Sequence, residues 1–395
     1  MNPLRLVLIS RRFWPLMGRG AGVMANLASE LALREVDVTL LTARWHPRWP
    51  AEVTFRDVPV VRLARPPGRW RDTNRYMRSI ARWLRRNRGR FDLVCVSRLR
   101  CEAYAALKAV GKEVPVVLRA EAAGRLGDCV WQLDAGGGRR IKQECMKAGA
   151  LVGPSRAIER ELIAAGYPRD RIHYLPNGAP IPPAGSQAGK AAARAALFAA
   201  NPGLRMPDEA PLAVSIGRLD EAKGLGYLVA AWQKVIAVHP DARLWLVGEG
   251  PHRKRLEDQI VELDLLGRVF LAGVYDSVEE LLAAADLFVL PSREDGPSLA
   301  ITEAMGAGLP IVTTDVPGNR ELVTDGRDGL LVPDRDVEAM GTAVLRLLDE
   351  PDLAVRLGTA ARDLVQTRFS LARMVDAHLD LFESLARANP VQVSR

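Results

Sequence analysis

The sequence predicts an α/β fold in which two parallel-sheet domains follow one another along the chain. Short apolar runs typical of buried strands alternate with segments of helical periodicity almost throughout. The chain has 395 residues, which is more than one hydrophobic core usually contains. A stretch rich in Pro, Gly and Ala after Leu175 separates two such alternations. These observations together favour two domains joined by a linker.

The first half of the chain contains seven strand candidates. They are residues 5–9, 38–42, 58–63, 92–97, 114–119, 150–153 and 172–175. Between the first two, Gly18, Gly20 and Gly22 lie in a loop that opens a helix. Such glycines let the backbone approach a diphosphate or sugar at the helix N-terminus, although a purely structural turn has the same composition. Residues 125–140 contain three consecutive glycines and are predicted to form a loop.

A basic amphipathic helix is predicted over residues 71–90. Residues 62–90 hold eleven arginines and one acid, Asp72. An arginine stripe accompanies an apolar stripe that includes Trp83, and the pattern is typical of docking on anionic lipid. The alternative is a packed helix whose charged face is simply solvated. The residues predicted to face a membrane are Arg75, Arg78, Arg82, Trp83, Arg85 and Arg86.

The second half repeats the alternation of strands and helices. Its strand candidates are residues 211–216, 242–247, 269–272, 287–290, 311–314 and 329–332. The tail is helical over 336–348 and 351–387, with a break near Phe369–Ser370. We therefore predict an N-terminal domain of residues 1–180, a linker of residues 181–210 and a C-terminal domain of residues 211–370. Tandem domains of this kind place a cleft between the carboxyl ends of their sheets, where ligands bind.

Charge and cysteine usage restrict the function classes. Residues 1–180 carry 33 Lys and Arg against 16 Asp and Glu, a net charge of +17, whereas residues 181–395 have 22 against 31, a net charge of −9. The first half therefore favours an anionic partner. No recognised nucleic-acid-binding motif accompanies these basic residues, so nucleic acid is not expected as the partner. The four cysteines have no metal-ligand spacing, which favours a cytoplasmic protein without a metal. The N-terminus reads as a strand rather than a signal peptide, and no apolar run is long enough to span a bilayer.

Two stretches of the second half carry the candidate chemistry. GRLDEAKG follows a predicted strand, and its Arg218 and Lys223 could neutralise a diphosphate leaving group. Farther on, the stretch EDGPSLAITE places Asp295 and Glu303 eight positions apart around a predicted helix start. The helix amides could hold a phosphate, and the carboxylates could accept hydrogen bonds from sugar hydroxyls. An acidic helix cap with a surface Glu is the structural alternative.

These motifs resemble the family-4 retaining glycosyltransferases, which have the GT-B architecture of two Rossmann-like domains. The resemblance rests on GRLDEAKG, VGEGP, RVFLAG, EAMGAGLPIVTTDVPGNRELV and DGLLVP, with SRAIERELIAAGYPRDRIHYLPNG in the first half. It implies that the final helix, residues 371–390, packs back on the first domain.

The resemblance also implies roles for individual residues. Arg218 and Lys223 would contact the donor pyrophosphate, Glu303 the ribose, and Asp295 the sugar hydroxyls. These four are the candidate catalytic residues. Further donor contacts are predicted at Gly22, Gly217, Gly248, Val269, Gly296, Leu299 and Ala300. Because Asp is shorter than the Glu that the family carries, Glu294 is an alternative to Asp295. Relatives often carry a His facing the donor sugar in the strand at 114–119, and here Arg119 or Glu121 would take over that contact. Gly20 and Glu294 are the other candidates on the acceptor or sugar side.

The function predicted from this resemblance is that of a retaining hexosyltransferase. It would move a hexose from a nucleotide diphosphate sugar to a glycan or lipid-linked hydroxyl acceptor in polysaccharide or glycolipid synthesis, with no metal or other cofactor. Its location would be the cytoplasm, peripherally on the inner face of the cell membrane. The alternatives are a non-catalytic protein that binds sugar nucleotides or glycans on a degenerate scaffold, and a nucleotide-sugar epimerase.

Overall fold

The computed structural model describes residues 3–16, 19–64, 70–124, 127–275, 277–293 and 298–388. The chain forms two compact units. The first runs to Gly178 and resumes at Leu371, and the second spans Ala179–Ser370. Each unit has a largely parallel sheet, so the predicted α/β class is confirmed.

All the predicted strands are present, with small shifts at their ends. The strands are β1 (Arg5–Ile9), β2 (Asp37–Ala43), β3 (Glu52–Phe55), β4 (Val58–Leu63), β5 (Leu93–Ser97), β6 (Val116–Arg119), β7 (Ala150–Gly153), β8 (Ile172–Tyr174), β9 (Leu212–Ile216), β10 (Arg243–Val247), β11 (Val269–Gly273), β12 (Leu287–Leu290), β13 (Ile311–Thr314) and β14 (Leu330–Val332).

The helices connect these strands and cover the sheets. They are α1 (Arg19–Leu33), α2 (Trp70–Arg86), α3 (Cys101–Val110), α4 (Asp128–Asp134), α5 (Gly138–Cys145), α6 (Arg156–Ala164), α7 (Gln187–Ala200), α8 (Leu225–Val238), α9 (Arg253–Glu262), α10 (Glu279–Ala284), α11 (Leu299–Gly306), α12 (Pro317–Arg320), α13 (Val337–Asp349), α14 (Pro351–Leu364) and α15 (Leu371–Ala388).

The sheet of the first unit has the order β3-β4-β2-β1-β5-β6-β7-β8. All its neighbouring strands are parallel except β3 and β4. Every residue of β5 is buried, which is expected for a central parallel strand with helices on both faces. The carboxyl ends of β1, β5 and β6 consequently lie side by side at one edge of the sheet.

Strand β3 was not predicted from the sequence. It pairs antiparallel with β4 through a tight turn at Arg56 and Asp57. These two residues have φ values of 45° and 64°, as in the type I′ turn that matches the twist of a hairpin. Because Arg56 and Asp57 are not the Asn and Gly that are usual in such turns, little in the local sequence indicated a hairpin.

The prediction of a loop at residues 125–140 is wrong for most of that segment. Helices α4 and α5 occupy Asp128–Asp134 and Gly138–Cys145. Gln132 is buried, donates to the carbonyl of Leu99 at 2.7 Å and accepts from the Tyr167 hydroxyl at 2.8 Å. The backbone of Gln132 also leaves no room for a Cβ at Gly138. Two of the three glycines, Gly137 and Gly138, therefore serve a tight helix–helix connection.

The sheet of the second unit has the order β11-β10-β9-β12-β13-β14 and is parallel throughout. Its two faces contribute to separate apolar clusters. The fully buried Trp232 of α8 belongs to one cluster, and the fully buried Trp245 of β10 belongs to the other. Helices thus cover the sheet on both sides, and the polar loops after its strands remain at one edge.

The segment predicted as a linker, residues 181–210, belongs to the second unit. Its helix α7 packs against α10. The buried Arg194 of α7 donates to the carbonyl of Ala284 at 3.0 Å and pairs with Asp286 at 2.9 Å. Asp286 also accepts from the amide of Leu212 at 2.7 Å. These contacts fix the segment to the start of β9 and exclude a free linker.

The last helix, α15, belongs to the first unit. It packs on α1, with Val375 and Phe382 buried, and Arg34, which directly follows α1, lies 3.2 Å from Asp376. The helical tail is interrupted at Ser370, where the sequence predicts a break. The basic helix α2 ends at Arg86 rather than at residue 90.

Candidate functional site

The loop after β9 contains both predicted leaving-group cations. Arg218 is the second residue after β9, and Lys223 closes a short 3₁₀ turn, Glu221–Lys223, that leads into α8. Arg218 is exposed, with its Nε 3.3 Å from Asp220 Oδ2. Lys223 is buried, and its side chain lies along Gly217, where an added Cβ would be 3.5 Å from Lys223 Cε. One loop therefore presents an exposed guanidinium and a buried ammonium at the same edge of the sheet.

Three glycines hold the neighbouring loops against this one. The carbonyl oxygens of Pro291, Gly217 and Leu219 occupy the positions that a Cβ would take at Gly224, Gly248 and Gly250, respectively. Gly224 and Gly248 also have positive φ values, 63° and 139°. The loops after β9, β10 and β12 are thus in backbone contact at the carboxyl edge, where ligands of open α/β sheets bind.

Glu303 lies on α11, which follows β12. It is half-buried, and its carboxyl group forms no hydrogen bond or ion pair with any other residue that the structure describes. Burial, and secondarily the carboxylate of Glu279, raise the pKa of Glu303 to about 7. A half-buried carboxyl group without a hydrogen-bond donor is unfavourable in the unliganded protein, and it is suited to accept hydrogen bonds from the hydroxyl groups of a ligand.

The helix start at α11 contains Leu299 and Ala300, both half-buried, directly after the buried Ser298. Their backbone amides are among the first of the helix and have no partner one turn earlier within it. The predictions at Glu294, Asp295 and Gly296 lie outside the described residues.

Val269 does not lie with the other predicted donor contacts. It is buried at the amino end of β11, opposite Leu244. The candidate loops are at the carboxyl ends, four residues or roughly 13 Å farther along. Gly273 lies at the correct end, where its carbonyl accepts from the amide of Gly248 at 2.7 Å. The prediction of a donor contact at Val269 therefore fails because it chose the wrong end of the strand.

In the first unit, Gly20 and Glu121 are brought together. The Glu121 carboxylate lies where a Cβ at Gly20 would begin, next to the first turn of α1. Glu121 is buried, accepts from the Ser97 hydroxyl and pairs with Arg98 Nε at 2.8 Å. Gly22 lies two residues farther along α1 and is half-buried. A negative charge at a helix start is favourable, since the helix dipole is positive there.

Arg119 is almost wholly buried at the end of β6, so it is not available at the surface. Its guanidinium donates to the side-chain oxygen of Asn177. Burial, and then the charge of Arg119, lower the pKa of His378 on α15 to about 3, so this imidazole is neutral. Arg119 is thus a buried structural cation, and Glu121 is the predicted residue nearer to the α1 glycines.

Several charged residues at this edge were not singled out from the sequence. Arg98 has a φ of 75°, and 38% of its side chain is exposed. Arg11 pairs with the buried Glu102 at 3.0 Å, and Arg100 pairs with the buried Asp128 at 2.7 Å. These residues could have been predicted as site candidates from the cluster of polar residues that immediately follows β1 and β5 in the sequence. A non-glycine residue with positive φ at such a place is typical of functional sites.

The exposed face of α2 carries Arg75, Arg78, Arg82, Arg85 and Arg86. Trp83 does not share this face. It is half-buried against the apolar core of the first unit, with its ring centroid 6.5 Å from that of Phe91. The prediction that Trp83 faces a membrane is therefore wrong, because it follows the spacing of Tyr76 and Ile80 rather than that of the arginines.

Among the described residues, no helix is both long and apolar enough to cross a bilayer. The same part of the chain contains no cluster of three or more His, Cys, Asp or Glu side chains placed to bind a metal ion.

Comparison with known proteins identifies the family. The sequence model described as Glycosyltransferase Family 4 matches residues 20–181, and that described as Glycosyl transferases group 1 matches residues 210–350. The chain belongs to the family-4 glycosyltransferases and has their GT-B architecture, as the sequence resemblance predicted.

Individual relatives are similar over part of the chain. The lipopolysaccharide core biosynthesis glycosyltransferase LpsD of Rhizobium meliloti is 35% identical over 191 residues, which is 48% of this chain and 54% of that protein. The chain thus spans about half the length of the curated relatives that it matches.

Two solved structures share the fold over nearly the whole chain. Sucrose-phosphate synthase from Thermosynechococcus elongatus has a TM-score of 0.79 at 21% identity, with 98% of this chain and 100% of that chain covered. Anabaena HepE in complex with UDP-glucose has a TM-score of 0.76 at 18% identity, with 96% and 100% covered.

Proposed function

We propose that this protein is a retaining glycosyltransferase that moves a hexose from a nucleotide diphosphate sugar to a hydroxyl acceptor. The main support for the proposal is that the GRLDEAKG motif lies at the ligand-binding edge of the sheet in the second unit. Arg218 and Lys223 lie on one loop at the carboxyl edge of a parallel sheet, and glycine contacts hold that loop against its neighbours.

The cations would act on the leaving group. Negative charge builds up on the diphosphate as its bond to the sugar breaks, and an adjacent guanidinium and ammonium stabilise that charge. Lys223 is buried along Gly217, and this packing would restrict its movement when a ligand binds. Arg218 is exposed and would reorganise from Asp220 to the phosphate. This arrangement neutralises the diphosphate without a metal, which we propose is not required.

Glu303 would hold the ribose of the donor. Its carboxyl group lacks a partner among the described residues and is half-buried. Two neighbouring hydroxyls would each donate to one carboxylate oxygen and thereby favour the ionised form. Either Asp295 or Glu294 would contact the sugar, as the sequence pattern suggests.

The first unit would supply the acceptor side. Gly20 at the start of α1 lies beside the Ser97–Glu121–Arg98 cluster, where hydroxyl groups find both donors and acceptors. Gly22 lies two residues farther along the same helix. The similarity to LpsD supports a glycan or lipid-linked acceptor in polysaccharide or glycolipid synthesis. The arginine face of α2 supports a cytoplasmic protein that docks peripherally on the inner membrane surface.

A donor screen tests this proposal. The purified protein is incubated with a panel of nucleotide diphosphate hexoses, and release of the nucleoside diphosphate is measured with and without acceptor glycans. UDP-glucose is the first donor to test, since HepE was solved with it. We expect release that increases with acceptor and a product whose anomeric configuration matches the donor, as read by NMR. Binding of the donor without release would favour the non-catalytic alternative, and isomerised donor without transfer would favour an epimerase.

A further inference from the structure

A surface groove of about 450 Å³ lies between α2 and α3 in the first unit. This volume is within the ~300–1,000 Å³ range of small-molecule sites. The groove is formed entirely by these two helices and shares no residue with the Gly20–Glu121 cluster or with the loops of the second unit.

Five cations line the groove: Arg78, Arg82, Arg85, Arg86 and Lys108. No carboxylate is among the lining residues. With respect to the residues that the structure describes, the side chains of Arg78, Arg82 and Arg86 form no ion pair or hydrogen bond.

The remaining two cations are only partly neutralised. Arg85 donates to the carbonyl of Lys108 at 3.5 Å, and Lys108 lies 3.1 Å from Glu144, which it shares with Lys147. A concave arrangement of exposed like charges is electrostatically unfavourable unless an anion occupies it.

The floor of the groove is apolar. Met77 and Ala81 of α2 face Tyr104 and Ala105 of α3 between the cationic side chains. Met77, Ala81 and Tyr104 are half-buried, so part of this apolar surface is accessible. The guanidinium carbon of Arg140, which does not line the groove, lies over the Tyr104 ring at 5.6 Å from the ring centroid. A cationic rim over an apolar floor matches a ligand that is itself anionic at one end and apolar at the other.

We propose that this groove binds the phosphate headgroup of a single anionic lipid, with the first part of the lipid chain on the apolar floor. The inference rests on the proposed membrane docking and deepens it, because it assigns one defined site within a diffuse basic surface. A free phosphate would use the rim but not the floor, whereas a lipid phosphate would use both.

The first experiment compares two charge-matched double variants in co-sedimentation with vesicles of phosphatidylcholine and phosphatidylglycerol. Arg78→Glu/Arg82→Glu changes the rim, and Arg75→Glu/Arg90→Glu changes two exposed arginines that do not line the groove. At ~1 kcal/mol per basic residue near an anionic surface, we expect the rim variant to lose at least tenfold in vesicle affinity and the control to lose clearly less. Equal losses of vesicle affinity in the two variants would show that the basic surface attracts the membrane diffusely, and they would overturn the proposal that the groove is a defined lipid site.

The second experiment uses soluble probes to separate the sources of phosphate. Short-chain phosphatidic acid should raise the thermal unfolding temperature of the wild type but not of the rim variant. Phosphatidylcholine of the same chain length and inorganic phosphate should have little effect. A response to inorganic phosphate equal to that of the lipid would contradict the lipid assignment. Ala81→Trp fills the floor without changing the charge, and it should weaken the lipid response while vesicle attraction persists.

Nucleoside diphosphate release without vesicles is measured for every variant. None of the changed residues belongs to the proposed transfer site, so this release should equal that of the wild type. A wild-type protein that releases nucleoside diphosphate but does not bind vesicles would overturn the proposal that the groove binds lipid, and it would leave the transferase proposal intact. Vesicle binding without release would leave the groove standing and contradict the transferase proposal.

Discussion

The carbonyl oxygen of Gly217 occupies the space that a Cβ at position 248 would need. Position 248 also has a φ of 139°, which L-residues rarely adopt. The two glycines lie on neighbouring loops at the carboxyl ends of β9 and β10, so the contact sets the spacing between Arg218 and the second loop.

Gly248→Ala should therefore destabilise the protein and impair donor binding. Steric overlap with a backbone oxygen cannot be relieved by a side-chain rotation, and the backbone strain alone costs about 1–3 kcal/mol. The control is Gly185→Ala, because Gly185 is exposed in the same unit and has no atom near its added Cβ. Chemical denaturation should show a change near zero for the control, within ~0.5 kcal/mol. Equal stability of the two variants would contradict the close packing of the loops.

Arg218→Ala and Lys223→Ala should each lower turnover by about 10²–10³-fold, the usual cost of removing one transition-state stabilising group. The fold should be retained for Arg218→Ala, since this side chain is exposed. Lys223→Met keeps the buried aliphatic chain and separates loss of charge from loss of packing. Arg346→Ala, on the exposed face of α13, is the matched control. Nucleoside diphosphate release is the measurement, and wild-type turnover in both site variants would refute their assignment.

The Michaelis constant for the donor should rise as the pH falls through about 7. The pKa of Glu303 is raised to about 7, so lowering the pH protonates it and removes charged acceptors for the ribose. Hydrogen bonds to a charged group contribute ~1.5–3 kcal/mol, so Glu303→Gln should raise the constant by about 10-fold or more at pH 8 and flatten its pH dependence. Glu262→Gln, a change at an exposed residue of α9, should leave the profile unchanged. A pH-independent wild type would rule out this role.

The same group should reduce stability at high pH. A carboxyl group whose folded-state pKa lies above its unfolded value of 4.5 holds more protons in the folded state between these values. The free energy of unfolding therefore falls as the pH rises from 4.5 to about 7. Glu303→Gln should be more stable than the wild type at pH 8, by up to about 3 kcal/mol, and the difference should shrink towards pH 4.5. Denaturation in the absence of donor at both pH values tests this, and an advantage of equal size at both would contradict it.

Arg98→Ala should leave the buried Glu121 without its ion-pair partner and destabilise the first unit by about 1–2 kcal/mol, a range reduced for the partial exposure of Arg98. Adding Glu121→Gln removes the stranded charge, so the double variant should recover part of the loss. The free energies of unfolding of the wild type, the two single variants and the double variant form a double-mutant cycle, which gives the interaction energy between Arg98 and Glu121. Additive effects would mean that the two residues do not interact.

The two sheets could be predicted because their central strands are buried on both faces and appear as uninterrupted apolar runs. The local motif GRLDEAKG likewise predicted where Arg218 and Lys223 would lie. Strand β3 was not predicted because its turn has Arg56 and Asp57 in the conformation that Asn and Gly normally take.

Other features depend on contacts that the local sequence does not encode. Arg11 and Glu102 pair across 91 positions, and only the side-by-side placement of β1 and β5 brings them together. Val269 was misassigned because a short strand has no local signal to tell which of its ends faces a ligand. Three adjacent glycines suggested a loop at 125–140, although the space around Gln132 required two of them within a helical connection.

Helix α15 completes the first unit, yet the whole of Ala179–Ser370 is synthesised before it. Within the second unit, Ala179 and Phe369 are joined by a backbone hydrogen bond of 2.9 Å, so this unit starts and finishes at one place. At the usual ~5–20 residues per second, translation of the intervening segment takes roughly 10–40 s. For that interval the surface of α1 against which α15 packs has no cover. The nascent first half therefore passes through a stage in which chaperone binding and premature self-association compete for the same surface.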